Sequence, residues 1–155
     1  MKQQDKKGFT IIEVVLVLAI AGLIFLMVFI ALPALQRSQR DTQRRNDLSR
    51  AQTAVNNYQT NNRNKLPNFT ASDPSSFLER YLKVDNKDTF ADPNGTSYKF
   101  VAGPINNKSF EDNAGNIFFT EGSICNGESL TDNQGNLKVA LQYKLEGGGI
   151  ACVNN

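Results

Sequence analysis

The first third of the chain is dominated by one uninterrupted apolar run. Val14 to Leu32 contains nineteen residues without a charge or a hydrogen-bonding side chain. A helix that rises about 1.5 Å per residue would make this run about 28 Å long, close to the hydrocarbon thickness of a bilayer. The run is also too uniformly apolar for a core helix of a small domain. The pattern predicts a transmembrane helix half over residues 9–35.

The helix is predicted to continue as an amphipathic half over residues 36–62. From Ala34 to Gln59 the chain has neither glycine nor proline, and it is rich in Gln, Arg and Ala, which tolerate helix well. Apolar side chains recur there at three- and four-residue spacing and form one stripe that can lie on a sheet: Leu48, Ala51, Val55 and Tyr58. Asn61, Asn62 and the Lys65-Leu66-Pro67 segment are predicted to end the helix.

Opposite charges on this half lie at helical pairing distances. The pairs are Arg37 with Asp41, Asp41 with Arg45, Arg44 with Asp47, and Asp47 with Arg50. One interpretation is a solvated face of internal ion pairs. The other is that some of the arginines meet acidic groups on adjacent subunits.

Residues 63–96 are expected to form a connecting region with one short helix at 74–82. Asp73 would cap that helix and Pro74 suits its first position. Asp92-Pro93-Asn94-Gly95 has the composition of a turn.

Residues 97–155 are predicted to form an antiparallel sheet. Apolar and polar residues alternate from Leu137 to Glu146, which indicates a half-buried strand. Three glycines then turn the chain into a closing strand. The strand candidates are Ser97–Val101, Asn116–Thr120, Leu137–Leu145 and Ile150–Val153. The predicted fold class is α+β, a long amino-terminal helix packed on a carboxy-terminal antiparallel β-sheet.

The composition limits the catalytic and metal-binding functions that the chain can have. The 155-residue chain has no histidine, so the usual general base of a serine or cysteine nucleophile is missing, and no enzyme or cofactor is expected. Cys125 and Cys152 are the two cysteines, and without histidine or a CxxC pattern they do not indicate a metal site. A disulfide in an oxidising space is the favoured prediction, with two free thiols as the alternative.

Two similar pieces are rich in Asp, Asn and Gly: residues 112–116 and 132–136. Clustered side-chain oxygens are calcium ligands, but neither piece has the ligand spacing of an EF-hand. The same residues are common in tight turns, and turns are the favoured interpretation.

The hexad Gly8-Phe9-Thr10-Ile11-Ile12-Glu13 follows a short lysine-containing leader and precedes the apolar run. It resembles the class III signal of type IV prepilins and related pseudopilins. The resemblance implies a leader over residues 1–8, cleavage after Gly8 by prepilin peptidase, and N-methylation of Phe9. It also implies a lollipop-shaped, pilin-like molecule.

The resemblance gives Glu13 a role in assembly. A carboxylate within the membrane is costly and usually paired, and the implied partner is the amino terminus of a neighbouring subunit. A Glu13 that merely reaches the lipid headgroups is the alternative. Pro33 is expected to kink the helix, because proline removes an intrahelical hydrogen bond. It lies three residues later than the corresponding proline of most family members.

Charge counts bear on partners and on orientation. Loss of the leader leaves 14 basic and 14 acidic residues, so nucleic-acid binding is possible but not indicated. Five arginines follow the apolar run, against three lysines in the leader, and the positive-inside rule would favour a cytoplasmic head. The predicted disulfide and the resemblance favour a head outside the cytoplasmic membrane.

The resemblance therefore implies a structural subunit of a type IV pilus, a major or abundant pilin that self-associates through its amino-terminal helix. Its implied partners are the peptidase, the assembly platform protein and the assembly ATPase. It would lie in the cytoplasmic membrane before assembly and in an extracellular pilus afterwards, serving motility, adhesion or DNA uptake. A pseudopilin of a type II secretion system and a DNA-binding competence pilin are the alternatives.

Overall fold

The computed structural model describes residues 8–70, 76–83, 90–105 and 109–155. Helix α1 spans Ile11–Asn61 and is continuous through Pro33, so the proline does not end the helix. The chain divides into two compact units, with the boundary between Gln36 and Arg37. The first unit contains the apolar part of α1. The second unit, called the head, begins at Arg37.

The head packs the remaining part of α1 on a β-sheet, which confirms the predicted α+β class. The predicted stripe is buried, with Leu48, Ala51 and Val55 at most 1 % exposed and Tyr58 packed at the edge of the core. Helix α1 ends at Asn61 as predicted, and Arg63 and Asn64 adopt left-handed backbone conformations immediately afterwards.

The head contains six strands in the described part of the chain. Their bounds are β1 Lys99–Ala102, β2 Asn116–Glu121, β3 Ile124–Asn126, β4 Ser129–Thr131, β5 Val139–Lys144 and β6 Ile150–Asn154. The main sheet has the order β1-β2-β5-β6, and β3 pairs with β4 in a separate hairpin.

One strand pair departs from the predicted antiparallel arrangement. The β2–β5 and β5–β6 pairs are antiparallel, but β1 runs parallel to β2, with Lys99 opposite Asn116 and Ala102 opposite Phe119. The link between β1 and β2 contains the short helix α2, Phe110–Asn113, and is long enough for the crossover that a parallel pair requires.

Strand β5 is buried on both faces, so the prediction of a half-buried strand was wrong. Its Val139, Leu141 and Tyr143 side chains join the core under α1. On the opposite face, the Gln142 side chain accepts a hydrogen bond from the Ile105 backbone amide and donates one to the Glu128 carbonyl. The segment after β1 and the β3–β4 hairpin therefore cover the face that the alternating pattern assigned to solvent.

The connecting region has one described helical turn. Leu78–Leu82 form a π-helical turn, closed by a hydrogen bond from the Lys83 amide to the Leu78 carbonyl. Asp73 and Pro74, predicted to start a helix over 74–82, lie outside the described residues. The predicted turn at Asp92 is present, because the Gly95 amide donates to the Asp92 carbonyl at 2.8 Å.

Candidate functional site

The predicted processing site lies just before the first helical turn. Gly8, Phe9 and Thr10 have no regular secondary structure, and α1 begins at Ile11. The Phe9 side chain is 84 % exposed, and a Cβ atom added to Gly8 would meet no atom within 4 Å. The Gly8–Phe9 peptide bond is therefore in exposed backbone that an enzyme can reach.

Glu13 lies in the first turn of α1, where its backbone amide donates to the Thr10 carbonyl at 3.1 Å. The partial positive charge at a helix amino terminus favours a carboxylate at this position. No hydrogen bond or ion pair of the Glu13 side chain occurs within the described ranges. Within this chain, the carboxylate is available to a partner from outside.

The apolar run presents its side chains outward. In its most hydrophobic 18-residue window the mean hydropathy is 3.2, and none of that window is buried. By length and composition, α1 can cross a membrane. A continuous apolar surface of this size needs lipid or other apolar helices around it. The long apolar helix thus fits a membrane-anchored precursor.

The head contains a set of charged residues whose proximity the helical spacing does not predict. We call this set the charged clasp, and its members are Arg40, Asp41, Arg44, Asp92 and Glu146.

Arg44 lies at the centre of the charged clasp, and its side chain has no exposed surface. Its guanidinium binds Asp92 in a bidentate manner, at 2.7 and 3.0 Å, and donates to Asp41 at 2.8 Å. A fourth hydrogen bond, of 3.2 Å, goes to Glu146. The Arg44 guanidinium also lies over the Phe110 ring, 4.5 Å from its centroid. Burial alone would lower the pKa of Arg44, but its acidic partners raise it.

Two acidic members of the clasp, Asp41 and Glu146, connect α1 to the turn after β5. Arg40 donates to the Glu146 carboxylate at 2.8 Å, and this hydrogen bond is the main reason that the pKa of Glu146 falls to about 2. Asp41 accepts from the backbone amides of Glu146, at 2.9 Å, and Gly147, at 2.7 Å. The clasp therefore attaches the first turns of the head's helix to the end of the sheet.

Two buried tyrosines extend this network. Tyr143 donates to Asp92 at 2.6 Å and accepts from the Gly115 amide at 2.9 Å. Burial would raise the pKa of Asp92, but hydrogen bonds from Arg44 and Tyr143 lower it. Tyr98 donates to Asp47 at 3.1 Å, and burial raises the pKa of both groups in this pair.

The interpretation of the helix charges as a solvated face was wrong for Asp41, Arg44 and Asp47, which are buried. Arg50 does pair with Asp47, at 3.6 Å, and Arg45 is exposed. A signal was present in the sequence, because residues 41 and 44 continue the three- and four-residue spacing of the stripe that begins at Leu48. Charges at core positions of a helix imply buried partners elsewhere in the chain.

The predicted disulfide is present between Cys125 and Cys152, with 5.8 Å between their Cα atoms. It joins the β3–β4 hairpin to β6. Beside it, the Cys125 amide donates to the Asn154 side chain at 3.0 Å. The disulfide therefore attaches the hairpin to β6, the strand at one edge of the main sheet.

The two Asp- and Asn-rich pieces contain turns. Gly115, Asn133 and Gly135 have positive φ angles of 78°, 63° and 93°. No group of three or more His, Cys, Asp or Glu side chains that could hold a metal ion occurs in the described part of the chain.

Comparison with known proteins identifies the amino-terminal segment. Residues 3–29 match the family model described as the prokaryotic N-terminal methylation motif. Neither the curated proteins nor the solved structures provide a match to the chain. The matched segment contains Gly8, Phe9, Glu13 and most of the exposed apolar run. The chain therefore carries the prokaryotic N-terminal methylation motif, which is the class III prepilin signal of type IV pilins.

Proposed function

We propose that the chain is a structural subunit of a type IV pilus, a major or abundant pilin rather than an enzyme. The observation that carries the proposal is the exposed apolar part of α1, most of which lies within the methylation motif. Lipid covers this surface in the precursor, and neighbouring helices cover it in the filament. The subunit moves from the cytoplasmic membrane, with its head outside, to an extracellular pilus that serves motility, adhesion or DNA uptake.

Processing precedes assembly in this proposal. Prepilin peptidase hydrolyses the Gly8–Phe9 peptide bond and the amino group of Phe9 is then N-methylated. The irregular, exposed backbone at Gly8 to Thr10 supports this step. The assembly platform protein and its ATPase then add the processed subunit to the filament.

Glu13 directs assembly by pairing with the amino terminus of a neighbouring subunit. A carboxylate inside the membrane costs about 2.5–3.5 kcal/mol at the helix centre and less near an end, so an ion pair there favours the assembled state. The availability of the Glu13 side chain in this chain supports the role. Such a pair would also fix the axial register between helices.

The test is mass spectrometry of the amino-terminal peptide in whole membranes and in filaments sheared from cells. A sheared subunit that begins at N-methylated Phe9 is the expected result. A chain confined to membranes with residues 1–8 intact would contradict the proposal. Glu13→Gln should insert in the membrane yet fail to enter filaments, whereas Glu111→Gln, on the exposed surface of α2, should assemble normally. Normal filaments from Glu13→Gln would remove the role given to Glu13.

Two other proteins with this signal are distinguishable from a pilin. The disulfide in the carboxy-terminal region favours the pilin over a type II secretion pseudopilin, because pilins commonly stabilise that region in this way. Long surface filaments in electron micrographs support the pilin, whereas a calcium-dependent melting temperature of the head supports the pseudopilin. A DNA-binding competence pilin predicts DNA affinity that falls steeply with salt, which the neutral processed chain does not favour.

A further inference from the structure

The sequence contains two Asn-Gly dipeptides, Asn94-Gly95 and Asn126-Gly127. An asparagine followed by glycine is prone to lose its side-chain amide without an enzyme, because the next backbone nitrogen can attack the asparagine Cγ atom. Glycine has no side chain to hinder that approach, and it leaves the backbone free to turn. All four residues are exposed, so water reaches both dipeptides. What distinguishes the two dipeptides is their hydrogen bonding.

The Asn94-Gly95 dipeptide is part of a closed turn. The Gly95 amide, whose nitrogen would be the nucleophile, donates to the Asp92 carbonyl at 2.8 Å. The Asn94 amide donates to the Asp92 side chain at 2.9 Å, and the Asp92 amide donates to the Thr96 carbonyl at 2.8 Å. Asp92 is itself buried in the charged clasp. Attack by the Gly95 nitrogen therefore requires this turn to open.

The Asn126-Gly127 dipeptide lies at the end of the β3–β4 hairpin, where the corresponding nitrogen is free. Asn126 pairs with Ser129, so Gly127 belongs to the loop between the strands. Neither the Gly127 amide nor the Asn126 side chain has a hydrogen bond to any residue that the structure describes. Gly127 has a φ angle of 64°, a conformation that glycine adopts readily. Attack by the Gly127 nitrogen therefore breaks no hydrogen bond of that nitrogen.

The hairpin around this dipeptide is small and lies outside the core. Strands β3 and β4 have three residues each, and none of residues 122–137, all of which are described, contributes to the hydrophobic core of the head. The hairpin is attached through the Cys125 disulfide and through the Glu128 carbonyl, which accepts from Gln142 at 3.0 Å. A hairpin of this size is marginally stable by itself, so its end opens at less cost than the head unfolds. The backbone rotation that ring closure requires at Asn126 is thus available in the folded head.

We propose that Asn126 is a site of spontaneous deamidation. The Gly127 nitrogen loses its proton to hydroxide and attacks the Asn126 Cγ atom. The new N–Cγ bond closes a succinimide ring, the Cγ–Nδ2 bond breaks, and the amide nitrogen takes a proton from water and leaves as ammonia. Water then opens the ring at either carbonyl and gives aspartate or isoaspartate. The net change is the loss of ammonia and the gain of water, and the hairpin gains one negative charge at neutral pH.

The test follows deamidation in the full-length folded chain, kept in detergent and mildly alkaline buffer for several weeks. The samples are reduced and digested with a glutamate-specific protease at weakly acidic pH, which limits deamidation during digestion. This protease releases residues 122–128, in which Asn126 is the only asparagine. Mass spectrometry with fragmentation compares this peptide with the one that contains Asn94. Deamidation at Asn126 should be at least about fivefold faster than at Asn94, the factor expected for one protecting hydrogen bond.

Two variants and a second measurement check the assignment. Asn126→Gln should remove the mass change from residues 122–128, because the longer side chain places its carbonyl carbon one bond further from the Gly127 nitrogen. Asn94→Gln is the matched control and should leave the rate at Asn126 unchanged. In hydrogen–deuterium exchange of the folded chain, the Gly127 amide should exchange at least about fivefold faster than the Gly95 amide, because only the latter is protected by a turn.

The unfolded chain separates the effect of structure from that of sequence. In guanidinium chloride both dipeptides lose their turns, so Asn94 and Asn126 should deamidate at similar rates. Deamidation of Asn94 that equals or exceeds that of Asn126 in the folded chain would overturn the proposal. An unchanged ratio of rates after unfolding, or no mass change in residues 122–128, would also overturn it. None of these results bears on the filament proposal, because the reaction does not depend on processing or assembly.

Discussion

The substitution Arg44→Met tests whether the charged clasp holds the head together. Methionine approximates the length of the arginine stem, so the change removes mainly the guanidinium and its four hydrogen bonds to acidic groups. Asp92, whose side chain is completely buried, then loses its only arginine contact within the described residues. A buried carboxylate without its cation is the main source of the expected instability.

The structure allows the size of this effect to be bounded. Removing one partner of a buried ion pair costs about 3–5 kcal/mol. Asp92 keeps hydrogen bonds from the Tyr143 hydroxyl and the Asn94 amide, and Glu146 keeps Arg40, so the loss should lie near the lower limit, about 3 kcal/mol. At about 3–5 °C per kcal/mol for a domain of this size, the melting temperature should fall by about 10–15 °C.

The head can be followed without interference from the apolar part of α1. The chain has no tryptophan, and Tyr98 and Tyr143 are buried beside the clasp, so near-ultraviolet circular dichroism of tyrosine reports its packing. Arg45→Met is the matched control, because Arg45 is on the same helix but exposed. Its effect should remain within about 0.5 kcal/mol.

A double variant separates the ion pair from general disruption. Arg44→Met combined with Asp92→Leu removes both charges, so it should be less destabilised than the sum of the single variants by at least about 1 kcal/mol. The reasoning would be refuted if Arg44→Met and Arg45→Met melted at the same temperature. Additive effects in the double variant would show that the two side chains contribute independently.

Three further predictions concern pH, the disulfide and a glycine. Arginine hydrogen bonds lower the pKa of Glu146 from its usual 4.5 to about 2. The stability that the Glu146 carboxylate gives the head is therefore complete above about pH 4.5 and is lost as the pH falls towards 2. The melting temperature should drop across that range, and it should drop less in Glu146→Gln. Replacing Cys125 and Cys152 with serine opens a loop with a sequence separation of 27 and should cost about 3–4 kcal/mol in denaturant unfolding, whereas an unchanged midpoint would contradict a structural role. Gly115→Ala should destabilise the head more than Gly122→Ala in the same assay. Both glycines have positive φ, but of the two only Gly115 would bring an added Cβ atom to 2.8 Å from Thr96 Cγ2. Equal losses of stability would show that Thr96 moves aside freely.

The elements with strong local patterns could be predicted from the sequence. The nineteen-residue apolar run, the stripe from Leu48 to Val55 and the turn at Asp92 each depend on neighbouring residues alone, and the structure contains all three. The hexad from Gly8 to Glu13 could be recognised because it is a short contiguous part of the methylation motif. Local sequence therefore determined the helix, the signal and the fold class.

The features that were missed depend on contacts between distant residues. The alternation of apolar and polar residues in β5 correctly predicted that one face of the strand is buried. It did not indicate that the β3–β4 hairpin covers the other face. The parallel direction of β1 depends on how the crossover through α2 packs, which no periodicity encodes. Arg44 and Asp92 are 48 positions apart, so their pairing is visible only in the folded head.

The charged clasp also removes an argument against placing the head outside the membrane. The arginines after the apolar run favoured a cytoplasmic head only as long as they had no other role. Arg40 and Arg44 bind carboxylates on the turn after β5 and on the turn at Asp92, so the fold of the head requires them whichever side it occupies. The remaining three, Arg37, Arg45 and Arg50, equal the leader's three lysines in number, so the charge count no longer favours a cytoplasmic head. The Cys125–Cys152 disulfide, which persists in oxidising compartments, favours an extracytoplasmic head.

Labelling of a cysteine introduced at the exposed residue 45 in intact cells would decide between the two orientations. Labelling by a membrane-impermeant reagent is the expected result, and labelling only after lysis would restore the argument from charge.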